Sequence, residues 1–114
     1  NEDYAVFLTS SFLIATAYAF KDKIKSLSAG KNWNFEIGGN LSGEIFIKMD
    51  NVTVDDSMEG YIYIFDYSSK YYHEDGTLQY KCYEEIKPID VVKIKFSDFK
   101  EYYTINENQK NKLK

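Results

Sequence analysis

The chain has 114 residues and a formal net charge of −4, from 18 carboxylates against 14 lysines and no arginine. A hydrophobic share of 44% with 28% charged residues is enough for one core, and it excludes a disordered chain and two separate cores. The acid excess and the missing arginine oppose a nucleic-acid role, because phosphate contacts rely on clustered cations and guanine is read by the arginine fork. Eleven Tyr and eight Phe are the compositional excess, so the chain is tyrosine-rich.

Residues 4–28 contain no Gly or Pro and read as one long helix. Val6, Leu13, Ala17, Phe20, Ile24 and Leu27 form one seam; Phe7, Ile14 and Tyr18 form a second stripe, and Leu8, Phe12, Ala15 and Ala19 a third. A helix apolar nearly all round needs cover on more than one side. A sheet supplies one side; the other falls to a second copy, giving a homodimer through the N-terminal helix, or to Phe99, Tyr102 and Tyr103. The uncharged run from Ala5 to Phe20 is shorter than the roughly 20 residues a membrane helix needs, and no basic region precedes it. It is therefore expected to be buried. Ala29-Gly30 closes the helix, with Gly as the natural cap. The chain does not begin with Met, which a removed leader or tether would explain.

From Trp33 to Phe96 the pattern alternates as strands. A loop at Gly39, Asn40 and Leu41 opposes Phe35 to Ile45 and Trp33 to Ile47 in a hairpin, apolar against apolar. Val52–Val54 extends the second strand past a kink at Asp50-Asn51, and Asp55 to Gly60 is an acidic loop. Tyr61, Tyr63, Phe65 and Tyr67 then alternate with Ile62 and Ile64. Asp75-Gly76 signals a hairpin turn whose strict register opposes Lys70 to Lys81 and Asp66 to Glu85. Like charges in both places require either a solvated face or a bulge near Ser68-Ser69. Ile86 to Phe96 is the last strand, and Asp98 with Glu101 fits a capping pattern for a short helix over Phe99, Tyr102 and Tyr103.

The expected fold is α+β: a long N-terminal helix on a curved antiparallel sheet of about five strands, in helix-first meander order, with a short C-terminal helix. Residues 1–105 form the single domain and 106–114 a polar tail. This element order resembles the cystatin-like and pilin-like architectures. The Gln-x-Val-x-Gly signature of the cystatin inhibitors is absent, since Gln79 is followed by Tyr80, Lys81, Cys82 and Tyr83, and no sites carry over.

Few residues point to chemistry. His73 and Cys82 are the single His and single Cys, which excludes an internal disulfide and a typical structural zinc site. In the Asp75-Gly76 register they lie about 13 Å apart along the strand, beyond the reach of a nucleophile–base pair. Asp50, Asp55, Asp56 and Glu59 lack calcium-loop spacing, and the adjacent acids Glu84-Glu85 and Glu74-Asp75 point to opposite strand faces. No phosphate loop or Gly-x-Ser-x-Gly elbow is present. The sequence implies no cofactor, no metal and no catalytic set.

The aromatic alternation is the informative signal. Its rings either pack on the helix or form an exposed binding face, and a Tyr hydroxyl's need for a polar partner favours Ile62 and Ile64 for burial. The reading is a non-enzymatic protein-binding module, a small acidic inhibitor or neutralising partner of the immunity or anti-defence type. Its partner is another protein with a basic site. Asp55, Asp56 and Glu59 steer that partner, and Tyr61, Tyr63, Tyr67, Tyr71 and Tyr80 anchor it. The alternatives are an extracytoplasmic or assembly domain tethered through its N-terminus, and a small-ligand binder or enzyme with a pocket between helix and sheet.

Overall fold

The computed structural model describes residues 5–107 of the chain, and one main helix packs against antiparallel strands in an α+β arrangement. In chain order the elements are β1 (Val6–Thr9), α1 (Phe12–Leu27), β2 (Asn34–Gly39), β3 (Ile45–Val52), β4 (Glu59–Ile64), β5 (Tyr72–His73), β6 (Gln79–Cys82), β7 (Asp90–Lys95) and β8 (Thr104–Glu107). Two 3-10 turns, Phe96–Asp98 and Lys100–Tyr102, stand between β7 and β8.

The helix begins later than its apolar pattern suggests. Ser11 is the N-cap, its hydroxyl accepting from the Ile14 N–H at 3.1 Å, and the residues before it run as a strand. Val6–Thr9 pairs antiparallel with β6, Val6 facing Cys82 and Thr9 facing Gln79. The helix-first order is therefore corrected to strand first. The apolar surplus on residues 6–9 is explained by a strand rather than by extra helical stripes. Ser28 ends the helix, its N–H reaching the Ile24 and Lys25 carbonyls.

The strands form three small sheets instead of one meander: β1-β6-β5, β2-β3-β8 and β4-β7. In the β2-β3 hairpin Phe35 faces Met49 and Ile37 faces Ile47, four residues from the expected register. A wider loop causes the shift. Asn40 accepts through its side chain from the N–H groups of Ser42 and Glu44, its own N–H donates to the Glu44 carbonyl, and Gly43 takes φ +97°. An even shift keeps the same residues on the same face, so the core side survives the error. The expected kink is present: Asn51 has φ +56°, and the ladder to β8 slips between Asp50 and Val52.

The end of the domain differs most. Asp98 and Glu101 do not start a helix; the segment makes the two 3-10 turns and then β8, parallel to β3, with Asn106 Nδ2 donating to Asp50 Oδ1 at 2.6 Å. Thr104 and Ile105, both β-branched, favour that extended backbone. The tail expected from residue 106 thus starts inside a strand, and its remainder from 108 lies outside the described residues.

Ala17, Phe20 and Ile24 of α1 are fully buried against Met49 and Val52 of β3, Ile62 of β4, Ile94 of β7, and Phe96. Phe20 meets Phe96 edge-on at 5.3 Å, and Phe96 lies 5.8 Å from Tyr103. Thr16 donates to the Leu13 carbonyl at 2.6 Å, which leaves its hydroxyl to accept from Tyr103 at 2.6 Å. The C-terminal turns thus cover the second side of α1, with Phe99 on Phe12. The exposed Phe12, Tyr18 and Leu27 point in different directions round the helix and form no continuous stripe. No helix among the described residues is long and apolar enough to cross a membrane.

Leu13 packs at the edge of this core, while Phe20 sits at its centre. Phe20→Ala is expected to cost about 3–5 kcal/mol and Leu13→Ala less than about 2 kcal/mol, read by denaturant titration. Burial pushes the Tyr103 phenol above the ordinary 10.0, and its hydrogen bond to Thr16 offsets part of that. A raised folded value gives stability that is complete below the unfolded value and drains away as pH rises through the folded one. Tyr103→Phe should remove a late-titrating phenol from an alkaline absorbance titration and flatten the loss of stability above pH 10.

Candidate functional site

Along β4 the side chains alternate between core and solvent. Gly60, Ile62 and Ile64 face α1, and a Cβ on Gly60 would lie 3.3 Å from the Ala19 Cβ, so the strand rests tightly on the helix. Ile62 is buried and Ile64 half-buried. Tyr61 and Tyr63 point outward, each more than half exposed, and Tyr67 beyond the strand is 84% exposed. An aliphatic chain gains from complete burial, whereas a phenol keeps its hydroxyl hydrated by staying out. Across the ladder Tyr61 faces Lys93, Tyr63 faces Val91 and Glu59 faces Lys95.

The acidic loop before β4 is partnered by its own Ser57 and by lysines of other elements. Asp55 accepts from the Ser57 N–H at 2.9 Å and the Ser57 hydroxyl at 2.7 Å, and these bonds hold its carboxyl below the ordinary value. Asp56 pairs with Lys100 at 3.1 Å and Glu59 with Lys93 at 3.3 Å, while Lys23 donates to the Glu59 carbonyl. The face beside Tyr61 and Tyr63 therefore carries both signs of charge.

The other expected anchors lie elsewhere. Tyr71 packs on Tyr67 with ring centres 6.4 Å apart, and its hydroxyl donates to the Asp66 carbonyl at 2.7 Å. Desolvation raises the Tyr71 phenol, and the neighbouring Cys82 and Asp66 add to it. Tyr80 is on β6, half-buried, its ring 4.8 Å from His73. The reason is topology: β4 pairs with β7, whereas β5 and β6 pair with each other and with β1. Asp55, Asp56, Glu59, Tyr61 and Tyr63 stay together; Tyr67 and Tyr71 form a second group, and Tyr80 belongs to a separate sheet.

The β5-β6 register is offset by two residues from the Asp75-Gly76 reading, with Tyr72 facing Lys81 and His73 facing Tyr80. The shift arises in the turn and not at Ser68-Ser69. Glu74 N–H reaches the Gln79 carbonyl, the Thr77 hydroxyl donates to the Glu74 carbonyl, and Gly76 takes φ +76°. The like-charge oppositions disappear: Lys70 pairs with Glu84 at 2.9 Å, and Lys81 lies 3.9 Å from Glu74. This register exposes Tyr72 and Tyr83, which the alternation pattern did not single out.

His73 and Cys82 form no dyad. The His73 Nε2–H donates to the Thr77 carbonyl at 2.5 Å, and the buried Cys82 thiol donates to the Glu84 carbonyl at 3.5 Å. Among the described residues no group of three His, Cys, Asp or Glu could hold a metal ion. The space between α1 and the strands is filled by side chains. An open depression of about 500 Å³ lies outside it, beside Leu27, Thr53, Asp55, Asp56 and Lys100. No family model, curated protein or solved structure matches this chain.

The face assignment on β4 is directly measurable. Tyr61→Ala and Tyr63→Ala should each change stability by less than about 1 kcal/mol in chemical denaturation, the scale of an exposed cross-strand pair. Ile62→Ala should cost about 2–5 kcal/mol.

Proposed function

We propose that this domain is a protein-binding module of the inhibitor or neutralising type, which seats a partner on the outward face of β4. The observation that supports this reading is the pair of exposed phenols, Tyr61 and Tyr63, held by a strand whose other face is fixed in the core. A rigid strand presents these rings with little further loss of rotamer freedom, and Tyr is enriched among residues that dominate binding energies. Val91 and Ile89, both exposed on or beside β7, widen the apolar part of the face.

In this reading the acidic loop borders the site and does not anchor the partner. With Asp56 on Lys100 and Glu59 on Lys93, the loop acts as a braced rim, and the rings carry the affinity. Steering at long range then depends on the net charge of the whole chain.

Affinity capture from cells that express the chain tests this reading. The wild-type domain should retain a protein that Tyr61→Ser/Tyr63→Ser loses, with both proteins equally folded by circular dichroism. In kinetics with that protein, Tyr63→Ala should act on the off-rate by about 2 kcal/mol or more. Asp55→Asn/Asp56→Asn should change the on-rate by less than about tenfold, and added salt should shrink that difference. Capture that survives the double Tyr substitution overturns the reading.

A further inference from the structure

A second aromatic surface lies on the three-stranded sheet β1-β6-β5. Phe7 on β1 faces Lys81 on β6, and Lys81 faces Tyr72 on β5, so the three share one side of the sheet. Tyr83 follows two residues after Lys81 and packs on Tyr72 with ring centres 5.8 Å apart. Phe7 and Tyr72 are 62% exposed and Tyr83 47%, while Cys82 on the opposite side is fully buried. The sheet is therefore anchored on one side and bare on the other.

The segment that carries β5 and β6 is acid-rich, and one of its carboxylates, Glu74, stands 3.9 Å from Lys81 on this face. Residues 66–85 carry five carboxylates, Asp66, Glu74, Asp75, Glu84 and Glu85, against two lysines, Lys70 and Lys81. That net of −3 is most of the chain's −4. Lys70 is taken up by Glu84, and among the described residues Asp66, Asp75 and Glu85 make no ion pair. The β4-β7 face, by contrast, carries Lys93 and Lys95 beside Glu59. Lys81 already shows what the rings accept: its ammonium stands 5.7 Å from the centre of the Phe7 ring.

We propose that the bare face of β1-β6-β5, built on Phe7, Tyr72 and Tyr83, seats a lysine- or arginine-rich segment of the domain's protein partner. The inference rests on the protein-binding reading and names the partner's chemistry. Guanidinium or ammonium groups lie over the Tyr72 and Tyr83 rings, and carboxylates of the same acid-rich segment, with Glu74 beside Lys81 among them, offset their charge. The basic element thus binds away from the acidic loop, on residues that loop and strand patterns pass over.

The test is an amide NMR titration of the full chain with a capped oligo-arginine peptide, and with a capped oligo-glutamate peptide as its control. The arginine peptide alone should shift the amides around Phe7, Tyr72 and Tyr83, saturably and less strongly as salt is raised. Tyr72→Ser/Tyr83→Ser should weaken it about tenfold or more. Asp66→Asn/Glu85→Gln should weaken it and reduce its salt dependence. Lys81→Gln should tighten it by freeing the Phe7 ring. Shifts centred on residues 55–59, shifts spread evenly over all carboxylates, unchanged affinity of the Tyr72/Tyr83 variant, or no binding would each overturn the proposal. The two failures separate cleanly. A silent arginine titration overturns this surface and leaves partner capture through Tyr61 and Tyr63 intact, whereas capture that survives Tyr61→Ser/Tyr63→Ser overturns the β4 reading and leaves the titration standing.

Discussion

Phe20 standing edge-on to Phe96 is the contact on which the arrangement turns. It joins the middle of α1 to the end of β7, and the Thr16–Tyr103 hydrogen bond repeats the connection one turn earlier along the helix. With those two links in place the short C-terminal turns become the second wall of the core. A second side of the helix is then covered from within the same chain. Phe96 follows directly on β7, the partner of β4, and β4 itself rests on α1 through Gly60 and Ile62, so the position of Tyr61 and Tyr63 depends on the same helix.

The α+β class, the buried seam of α1 around Ala17, Phe20 and Ile24, and the inward set of Ile47, Met49 and Ile62 were legible in the sequence, because periodicity reports which side of an element is dry. Pairing was less legible. Phe35 could meet Ile45 or Met49 with the same apolar match, and only the side-chain bonds of Asn40 select the wider loop. The β5-β6 offset had the same origin in the Thr77 hydroxyl, although the clash of Lys70 with Lys81 had signalled that the simple register failed. Val6–Thr9 misled because a short apolar strand and an apolar helical turn look alike without a cap, and Ser11 was the cap. β8 was not found from pattern, since Ile105 is the one apolar residue of its four and its partner is parallel.

Of the candidate residues, the sequence left Tyr61 and Tyr63 open between core and surface, the structure exposes both, and the set as a whole was grouped by sequence distance. Tyr71 and Tyr80 share spacing with Tyr61 and Tyr63 yet belong to different neighbourhoods. Charge was harder still. An acidic run reads as a free anionic patch until its cations arrive from other elements, and Lys93 and Lys100 come from β7 and the second 3-10 turn, far downstream. Net charge is a property of composition, whereas local potential is a property of topology.

The route of the chain has a consequence for how it assembles. Val6 pairs with Cys82, and Met49 pairs with Ile105, so two of the three sheets join segments far apart in sequence. A nascent chain that has emerged only as far as β7 has neither Phe96 nor Tyr103 to lay over α1. Until they arrive, the helix and the uncharged β1 in front of it display an oily surface to the ribosome exit and to other chains. Such a topology pairs late, since loop closure over long separations precedes any reward from contact. The interval between synthesis of α1 and closure by Phe96 is therefore the time at which its apolar surface stands uncovered.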